Sequence, residues 1–409
     1  MPFVTGLTCV VCGAEYPPGR AMTCRRCGIT GILDVQYDYA AIGRRLTRRA
    51  LASRADRSQW RYRELLPIGE RARLPDLAVG WSPLAPAPAL ARHLGLRFLL
   101  LKDDGRNPSA SLKDRASAVG AVKAVEARRR TIACASTGNA ASSLAGMAAA
   151  LGLKAVIFVP ERAPEPKLAQ LLIFGATVLR VRGSYDQAWE LCQAACERWG
   201  WYNRNCAVNP YLVEGKKTVS LEICEQLAWK TPAWVAVSVG DGCTIAGTWK
   251  GFREMHTLGL IDRVPRLLGV QAEGAAPVTA AFRSGAGLVP VQPQTMADSI
   301  AVGVPRNWKK AVDAVRESRG TMIDVSDEEI REAMRATGRL AGVFAEPAAA
   351  AAVAGLARAV REGIVPRSAA ALAIVTGNGL KDSRSALAAA PRPLDVPPDL
   401  DAVAGALAR

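Results

Sequence analysis

The segment between Lys102 and Arg115 places a lysine where it could perform covalent chemistry. An apolar run from Leu96 to Leu101 predicts a buried strand before it, and Ser111 and Asp114 have the spacing of a capping box that opens a helix. Lys113 would then lie in the first helical turn, where the helix dipole disfavours an additional cation. A neutral amine attacks an aldehyde, so this is a suitable position for an imine-forming lysine. Taken alone, the segment is more typical of a surface lysine.

Three further segments combine a buried strand with a small polar loop. The apolar runs are Thr131 to Ala135, Trp234 to Val239 and Ala371 to Val375. The loops that follow them are Ser136 to Asn139, Gly240 to Thr244 and Thr376 to Asp382. Open α/β sheets bind ligands at the carboxyl ends of their strands, so these loops are candidates for a ligand site.

The loop from Gly240 to Thr244 is the best candidate for binding a phosphate. Its two glycines allow backbone N–H groups to turn inward, and the helix predicted after it adds a favourable dipole. The loop lacks the Walker lysine pattern and a complete G-x-G-x-x-G, so a nucleotide site is poorly supported. A loop for a phosphate, Lys113 for an aldehyde and Thr376 for a ring nitrogen together indicate pyridoxal 5'-phosphate.

These motifs resemble those of the threonine synthases, in the tryptophan-synthase-β-like class (fold type II) of pyridoxal-phosphate enzymes. Asn107-Pro108 to Arg115 is similar to the family's N-P-T-G-S-F-K-D-R, and Ser136 to Asn139 is similar to its S-T-G-N turn. The resemblance runs from about Trp81 to Asp382 and includes Glu346-Pro347-Ala348 and the segment after Thr376. It implies an α/β fold with two parallel-sheet domains, and an enzyme that catalyses elimination or replacement at the β or γ carbon of an amino acid.

The resemblance also implies roles for individual residues. Lys113 would be the catalytic residue, which binds the cofactor aldehyde and, once released, takes the α-proton of the substrate. The other implied cofactor contacts are Asn139 at the phenolic oxygen, Thr376 at the pyridine nitrogen, and Gly240, Asp241, Gly242, Cys243 and Thr244 at the phosphate. The implied substrate contacts are Ser111, Ser136 and Thr137.

The substrate half of the predicted site departs from the family. Threonine synthases bind the phosphate of O-phosphohomoserine with a Thr after S-T-G-N and with an N-S-V-N-P-x-R segment. This chain has different residues at the contact positions: Ala140, Cys206, Ala207 and Leu212. The change removes charge-assisted hydrogen bonds worth roughly 1.5 to 3 kcal/mol each, which indicates a leaving group that is not a phosphate held in the usual way. Alternatively, Lys216, Lys217 or a distant arginine supplies the missing charge.

Several functions stay open on the sequence alone. The chain could be a threonine synthase or a relative with a changed leaving group. It could also be a β-replacement or β-elimination enzyme that resembles cysteate synthase or a serine/threonine ammonia-lyase. Outside enzymes, it could be a zinc-ribbon nucleic-acid-binding protein with an inactive catalytic body, although the intact Lys113 argues against this. We expect a small amino-acid substrate and a homodimer.

Four N-terminal cysteines have a spacing typical of a zinc ribbon. Cys9-x-x-Cys12 and Cys24-x-x-Cys27 are separated by eleven residues, and four thiolates would complete the tetrahedral coordination of a structural zinc ion. Several threonine synthases and their relatives carry a similar ribbon. Disulfide bonds are the alternative, and the lack of a recognisable signal peptide argues against them. The other six cysteines are expected in the core, except that Cys206 and Cys243 fall in loops of the predicted site.

The composition agrees with an enzyme of two or three domains. The chain has 409 residues and no apolar run that reaches the length of a membrane span. Lysine and arginine number 53 against 37 acidic residues, and the net charge of +16 could indicate nucleic-acid binding. The arginines between positions 44 and 73 follow no RNA-binding signature, so a solvated helical face or a subunit contact is favoured. We expect a cytoplasmic protein.

The order of the predicted elements divides the chain into parts. The predicted parts are a zinc ribbon at 1–35, a basic and mostly helical connector at 36–75, a large cofactor-binding domain at 76–130 and 209–390, a small domain at 131–208 and a proline-rich tail at 391–409. In the small domain, which the resemblance implies is mobile, strands at 131–135, 155–159 and 177–181 alternate with helices at 140–151, 165–174 and 185–199. This alternation predicts a parallel sheet covered by helices.

Overall fold

Three β-sheets organise the part of the chain that a computed structural model describes, residues 1–19, 21–161, 163 and 165–408. An antiparallel sheet of four strands lies at the N-terminus, a parallel sheet of four strands follows, and the third sheet has six strands. The α/β fold that the sequence predicts is confirmed. Among the described helices, none combines the length and the apolar character needed to cross a membrane.

The elements are numbered in chain order. The strands are β1 (Val4–Cys9), β2 (Glu15–Tyr16), β3 (Thr23–Cys24), β4 (Gly28–Tyr37), β5 (Leu84–Pro86), β6 (Phe98–Asp103), β7 (Thr131–Ala135), β8 (Lys154–Pro160), β9 (Thr177–Val181), β10 (Tyr202–Asn203), β11 (Trp234–Ser238), β12 (Arg266–Ala272), β13 (Thr321–Val325) and β14 (Ala370–Val375). The α-helices are α1 (Tyr39–Gly43), α2 (Arg48–Ala52), α3 (Pro88–His93), α4 (Lys113–Glu126), α5 (Asn139–Leu151), α6 (Glu165–Ile173), α7 (Tyr185–Trp199), α8 (Tyr211–Gln226), α9 (Cys243–Thr257), α10 (Pro277–Ser284), α11 (Trp308–Glu317), α12 (Asp327–Ala341), α13 (Pro347–Arg361), α14 (Ser383–Ala389) and α15 (Leu400–Leu407). Short 3₁₀ helices lie at Gln59–Leu65, Asp104–Arg106, Glu273–Ala275, Asp298–Ile300 and Gly379–Asp382.

The N-terminal sheet has the strand order β2-β1-β4-β3 and carries the four cysteines at its strand ends and turns. Alternate residues of β4 face the core, where Leu33 and Val35 are fully buried. Strand β4 extends to Tyr37, whose hydroxyl donates a hydrogen bond to Glu214 of α8 at 2.9 Å. The ribbon is therefore attached to the body of the protein through its longest strand.

The basic connector is less helical than the sequence predicts. Between Asp38 and Trp81 it contains α1, α2 and one 3₁₀ helix, joined by irregular chain. Arg61 is buried instead of solvated, and its guanidinium lies 2.6 Å from Glu225 of α8. The same guanidinium donates to the carbonyl oxygen of Leu51 at 2.8 Å. This buried arginine thus joins the connector to α8.

The two larger sheets hold the loops of interest. The second sheet has the order β10-β7-β8-β9 and is parallel, as the alternation of strands and helices predicts. The third has the order β13-β12-β11-β14-β6-β5, and only its edge strand β5 is antiparallel to its neighbour. Parallel strands place their carboxyl ends on one edge of a sheet, so the loops after β11 and β14 lie side by side.

Helix α13 packs closely against the third sheet. Pro347 occupies its first position, and most of its alanines are fully buried. Gly355 allows the closest approach, because a Cβ atom there would lie only 2.3 Å from Cγ2 of Val270 in β12. The small residues of α13 thus serve packing against the sheet.

The predicted capping box at Ser111 and Asp114 is wrong, although α4 begins at Lys113 as expected. No side chain caps this helix, and the Asp114 carboxylate accepts hydrogen bonds from the backbone N–H and the hydroxyl of Ser109, at 2.7 and 2.6 Å. Ser111 forms an isolated β-bridge with Gly377, which is distant in the chain. The box is absent because Ser109 occupies the Asp114 carboxylate and because Leu112, and not Ser111, directly precedes the helix.

A buried ion network joins α4 to α8. Arg115 of α4 donates to Asp104 at 2.6 Å, and both Arg115 and Lys102 contact Glu222 of α8, the lysine at 2.8 Å. All four side chains are fully buried. Burial alone would raise the pKa of Glu222, but Arg115 and Lys102 hold it at about 2. The network therefore contains an ionised carboxylate that two cations share.

We predict that Glu222→Gln destabilises the protein by about 3–5 kcal/mol at pH 7, because Lys102 would remain buried without a carboxylate partner and Arg115 would keep only Asp104. The pKa of Glu222 is lower in the folded state than its ordinary value of 4.5, so its contribution is present above that pH and is lost as the pH falls toward about 2. Urea unfolding at pH 7 and at about pH 3.5 should give a smaller difference from wild type at the lower pH. The exposed Glu362→Gln is the matched control, and an equal loss in both variants would contradict the prediction.

Candidate active site

One cavity is lined by residues from several loops that the sequence singles out. Lys113 at the start of α4, Asn139 at the start of α5, the loop Gly240 to Thr244 and Thr376 after β14 all line it. The structure therefore brings together predicted residues that are up to 263 positions apart (376 − 113). The lining also contains residues to which the sequence analysis gives no role: Ser238, Ser299, Ile300, Val302, Glu346 and Ala348.

Lys113 is the amine in this cavity that is best placed to react. It is half-buried and is the first residue of α4, so its amine stays accessible from the cavity. Burial and the nearby ammonium of Lys216 lower the pKa of Lys113 from its ordinary value. A lowered pKa increases the fraction of neutral amine, the nucleophilic form. The sequence predicts this direction from the helix dipole alone, whereas the structure adds burial and a second cation.

The loop from Gly240 to Thr244 has the geometry of an anion cradle. Gly242 has a φ of +90°, and a Cβ atom there would lie 2.8 Å from the carbonyl oxygen of Asn307. The first residues of α9 follow directly, so N–H groups without helical partners are available beside the cavity. The Thr244 side chain adds a hydroxyl to the cavity lining. These donors fit the phosphate of pyridoxal phosphate.

Asp241 is an unexpected residue in a phosphate loop, because a carboxylate would repel the ligand. One oxygen of this carboxylate, Oδ1, is bonded to another loop, because it accepts a hydrogen bond from the backbone N–H of Arg306 at 2.7 Å. Burial and the neighbouring Cys206 raise the pKa of Asp241 to about 6. The carboxyl group is thus anchored to another loop, and burial favours its neutral form.

A second cavity adjoins the first and contains one of the three predicted substrate contacts. Thr137 lines it, and Asn139, Ser299 and Glu346 line both cavities. Ser136 accepts a hydrogen bond from the backbone N–H of Gly138 at 3.2 Å and so shapes the turn.

The hydroxyl of Ser111, the third predicted substrate contact, is buried. It has no hydrogen-bond partner among the described residues. A buried hydroxyl without a partner is available to a ligand.

Glu346 is a residue of the site that the sequence analysis names but does not assign. Both of its carboxylate oxygens accept hydrogen bonds from the side-chain amide of Asn139, at 2.8 and 3.0 Å. Burial raises the pKa of Glu346 to about 7, although Asn139 favours the charged form. In the sequence, Glu346 could have been recognised from its position directly before Pro347, at the N-terminus of a helix, in a motif shared with the family. Its partner lies 207 residues away and could not be inferred locally.

The departures in the substrate half are packed as apolar residues. Leu212 is fully buried, and a Cβ atom on Gly120 would lie 2.8 Å from its Cδ2 atom. Ala207 is also buried and has a positive φ of 67°. Neither position offers a polar group to a ligand, so the loss of hydrogen-bonding side chains that the sequence indicates is real at both.

The four N-terminal cysteines form a compact cluster. Their sulfur atoms all lie within 4.8 Å of one another. Gly31 faces the centre of the cluster, and a Cβ atom there would lie 2.5 and 2.6 Å from the Cβ atoms of Cys24 and Cys27. All four thiols are free of disulfide bonds. Four sulfur ligands around one point fit a tetrahedral zinc site.

Comparisons with known proteins agree with this geometry. The family model described as "Pyridoxal-phosphate dependent enzyme" matches residues 75–377. The threonine synthase of Methanocaldococcus jannaschii is 38% identical over 396 residues, which cover 96% of this chain and 97% of the relative. The threonine synthase of Methanosarcina acetivorans is 39% identical over 405 residues, with 98% of each chain covered.

Solved structures share the fold at lower identity. The processed form of threonine deaminase isoform 2 from Solanum lycopersicum has a TM-score of 0.65 at 23% identity, covering 75% of this chain and 86% of that chain. A diaminopropionate ammonia lyase from Escherichia coli has a TM-score of 0.64 at 19% identity, covering 74% and 86%. These likenesses confirm the predicted fold type.

We predict that Glu346 gives the protein a pH-dependent stability. Its pKa is raised in the folded state from an ordinary 4.5 to about 7, so between these values the unfolded chain releases a proton that the folded protein keeps. Stability therefore falls as the pH rises through this window. Glu346→Gln should gain about 1–3 kcal/mol relative to wild type between pH 4.5 and pH 8, measured by urea unfolding. The exposed Glu362→Gln should show no such gain, and a flat difference for Glu346→Gln would refute the prediction.

Proposed function

The chain belongs to the family of pyridoxal-phosphate-dependent enzymes and is threonine-synthase-like within it, and we propose the reaction and the catalytic residue from this membership. The proposed reaction is elimination or replacement at the β or γ carbon of an amino acid. The proposed catalytic residue is Lys113. The observation that carries the proposal is the position of Lys113. Its half-buried amine, with a lowered pKa, shares one cavity with the anion cradle at Gly240 to Thr244.

The proposed cofactor contacts are those that the family resemblance implies, and all of them line that cavity. When bound, pyridoxal phosphate supplies a conjugated ring that stabilises negative charge at the α carbon of an amino acid. We propose that the loop Gly240 to Thr244 binds its phosphate, Asn139 its phenolic oxygen and Thr376 its ring nitrogen. A hydroxyl at Thr376, instead of a carboxylate, leaves that nitrogen largely unprotonated. The Asn139 amide is already oriented, because Glu346 accepts its hydrogen bonds.

Lys113 is proposed to move the α-proton of the substrate. The lowered pKa of Lys113 increases the fraction of neutral amine, the form that would accept this proton and return it later in the cycle. The second cavity is proposed to take the amino acid, with Ser111, Ser136 and Thr137 near its carboxylate. This part rests on the shared lining of the two cavities and on the unpaired hydroxyl of Ser111.

The leaving group decides between two reactions of this class. A threonine synthase would release phosphate from O-phosphohomoserine and add water at the β carbon. The apolar packing of Ala207 and Leu212 favours a second candidate, β-replacement or β-elimination on serine, phosphoserine or a related amino acid. We propose that the enzyme acts in the cytoplasm, which its free thiols suit, and a homodimer stays a prediction from the resemblance.

We predict that Lys113→Ala abolishes both the chromophore and turnover. Wild-type protein mixed with pyridoxal phosphate should absorb above 400 nm, and borohydride should fix the label on the peptide that contains Lys113. In Lys113→Ala the absorbance and the label should be absent and activity should fall by roughly 10³-fold or more, since proton transfer alone contributes about 10²–10⁴-fold. The exposed Lys154→Gln should behave as wild type.

The same preparations identify the substrate. O-phosphohomoserine, serine and phosphoserine would be supplied separately, and phosphate, ammonia and new amino acids would be measured. Threonine and phosphate from O-phosphohomoserine alone would establish a threonine synthase, whereas pyruvate and ammonia from serine would establish a lyase. Labelling on a lysine other than Lys113, or full activity without it, would overturn the proposal.

We also propose that Cys9, Cys12, Cys24 and Cys27 bind a structural zinc ion. The support is the distance between their sulfur atoms and the lack of space for a side chain at Gly31. Four protein ligands leave no open position on the metal, so its contribution would be to the fold of the ribbon and not to the reaction.

We predict that Cys24→Ser lowers zinc content from one equivalent to near zero and destabilises the ribbon, because the site loses a thiolate from its buried side. Elemental analysis of the purified protein and thermal unfolding with and without a chelator measure both effects. Cys224→Ser, a buried cysteine outside the cluster, serves as the control and should retain zinc. A wild-type protein that contains no zinc after expression in zinc-supplied medium would contradict the assignment.

A further inference from the structure

Cys206 lies in the cavity beside two cations. Its side chain is half-buried and lines the same cavity as Lys113. Arg204 donates to its sulfur atom, with Nη1 at 3.4 Å, and Nζ of Lys216 lies 3.9 Å from the same atom. A small molecule that enters the cavity can therefore reach a thiol that is flanked by positive charge.

The two cations have no carboxylate partner within salt-bridge distance in the part of the chain that the structure describes. Arg204 and Lys216 are fully buried, and the other bonds of Arg204 go to the hydroxyl of Ser117. The next residue, Lys217, contrasts with them, because it pairs with Glu214 at 2.6 Å and with Glu254 at 2.8 Å. Buried cations require a counter-charge, and the nearest group that can carry one is the sulfur of Cys206.

A second thiol is in contact with the first. Cys243, the first residue of α9, belongs to the same buried cluster as Cys206 and is 3% exposed. The neighbouring Cys243, together with Lys216 and Arg204, holds the pKa of Cys206 well below its usual range, whereas Cys206 and burial raise the pKa of Cys243. The Cys243 sulfur donates a hydrogen bond to Oδ2 of Asp241 at 3.6 Å. The charged and titratable groups that face Cys206 are Lys113, Cys134, Tyr185, Arg204, Lys216, Asp241 and Cys243.

We propose that Cys206 is a reactive thiolate which hydroperoxides and soft electrophiles modify, and that Cys243 is the thiol which then closes a disulfide with it. This inference goes beyond the proposed function and does not depend on the role of Lys113. The N-S-V-N-P-x-R pattern of the resembled family has Asn where this chain has Cys206, so the resemblance assigns no role to this thiol.

The oxidation step balances with a hydroperoxide as the oxidant. The Cys206 sulfur attacks one peroxide oxygen, the S–O bond forms, the O–O bond breaks and the second oxygen leaves as water or an alcohol after taking a proton. The Cys243 sulfur then attacks the oxidised sulfur, the S–S bond forms and water leaves with the thiol proton. Two thiols lose two electrons in total and the peroxide gains them. The product would tie the start of α9 to the segment before α8.

Alkylation kinetics test the thiolate. Full-length protein, before and after removal of bound pyridoxal phosphate, is treated with iodoacetamide at pH 6, and the tryptic peptide 205–216 is quantified by mass spectrometry. An ordinary thiol with a pKa of about 8.5 is almost unreactive at this pH. In the cofactor-free form, we expect Cys206 of the wild-type protein to react at least about tenfold faster than Cys206 of Lys216→Gln. In that variant the corresponding tryptic peptide is 205–217. Lys154→Gln, which removes an exposed lysine, should match wild type.

Peroxide treatment tests the pair. After one equivalent of hydrogen peroxide, a non-reducing tryptic map should contain peptide 205–216 linked to peptide 231–250. In Cys243→Ser the link cannot form, and dimedone should instead label Cys206. The proposal is wrong if Cys206 alkylates at pH 6 no faster in wild type than in Lys216→Gln, or if peroxide produces neither the link nor the dimedone adduct.

Discussion

Buried ion pairs hold α4 and α9, whose first residues line the cavity, against α8. Glu222 of α8 binds Arg115 of α4, and Glu214 of α8 binds Lys250 of α9 at 2.8 Å. Buried pairs of this kind contribute little net stability, but breaking one is costly, so they restrict the helices to one arrangement. That arrangement determines where α4 and α9 begin. The positions of Lys113 and of the phosphate loop therefore depend on carboxylates that never contact a ligand.

The elements of the parallel sheets could be predicted closely because their signals are local. Strands β7 and β9 and helix α7 have the predicted bounds, since apolar runs and breaks in the chain mark them directly. The capping box is absent for a different reason. The Asp114 carboxylate accepts hydrogen bonds from Ser109, a competing local partner that the spacing of the box does not reveal. The connector differs from its prediction because the buried Arg61 pairs with Glu225, which lies 164 residues away and is not revealed by any local pattern.

The same difference between local signals and contacts distant in the chain applies to the candidate site. Loops that follow strands are recognisable in sequence, and the structure gathers Lys113, Asn139 and Thr376 around one cavity. The groups that set their electrostatics come from elsewhere in the chain. Glu346 orients Asn139, although the two residues are 207 positions apart in the chain. Lys216 lies near Lys113, and no sequence motif indicates this. Sequence motifs thus identified candidate ligand contacts, whereas pKa values and orientations required the packed structure.

The charge distribution in the cavity explains how such a site can attract anions while containing acidic residues. Burial raises the pKa of Asp241 to about 6 and that of Glu346 to about 7, so their negative charge is reduced near neutral pH. Arg204 and Lys216 remain as buried cations beside the Cys206 sulfur. A phosphate or a substrate carboxylate would meet these two cations, which have no carboxylate partner among the described residues, and binding would partly relieve this imbalance. The same imbalance activates the thiol when no ligand anion is present, so ligand binding and thiol reactivity are expected to oppose each other.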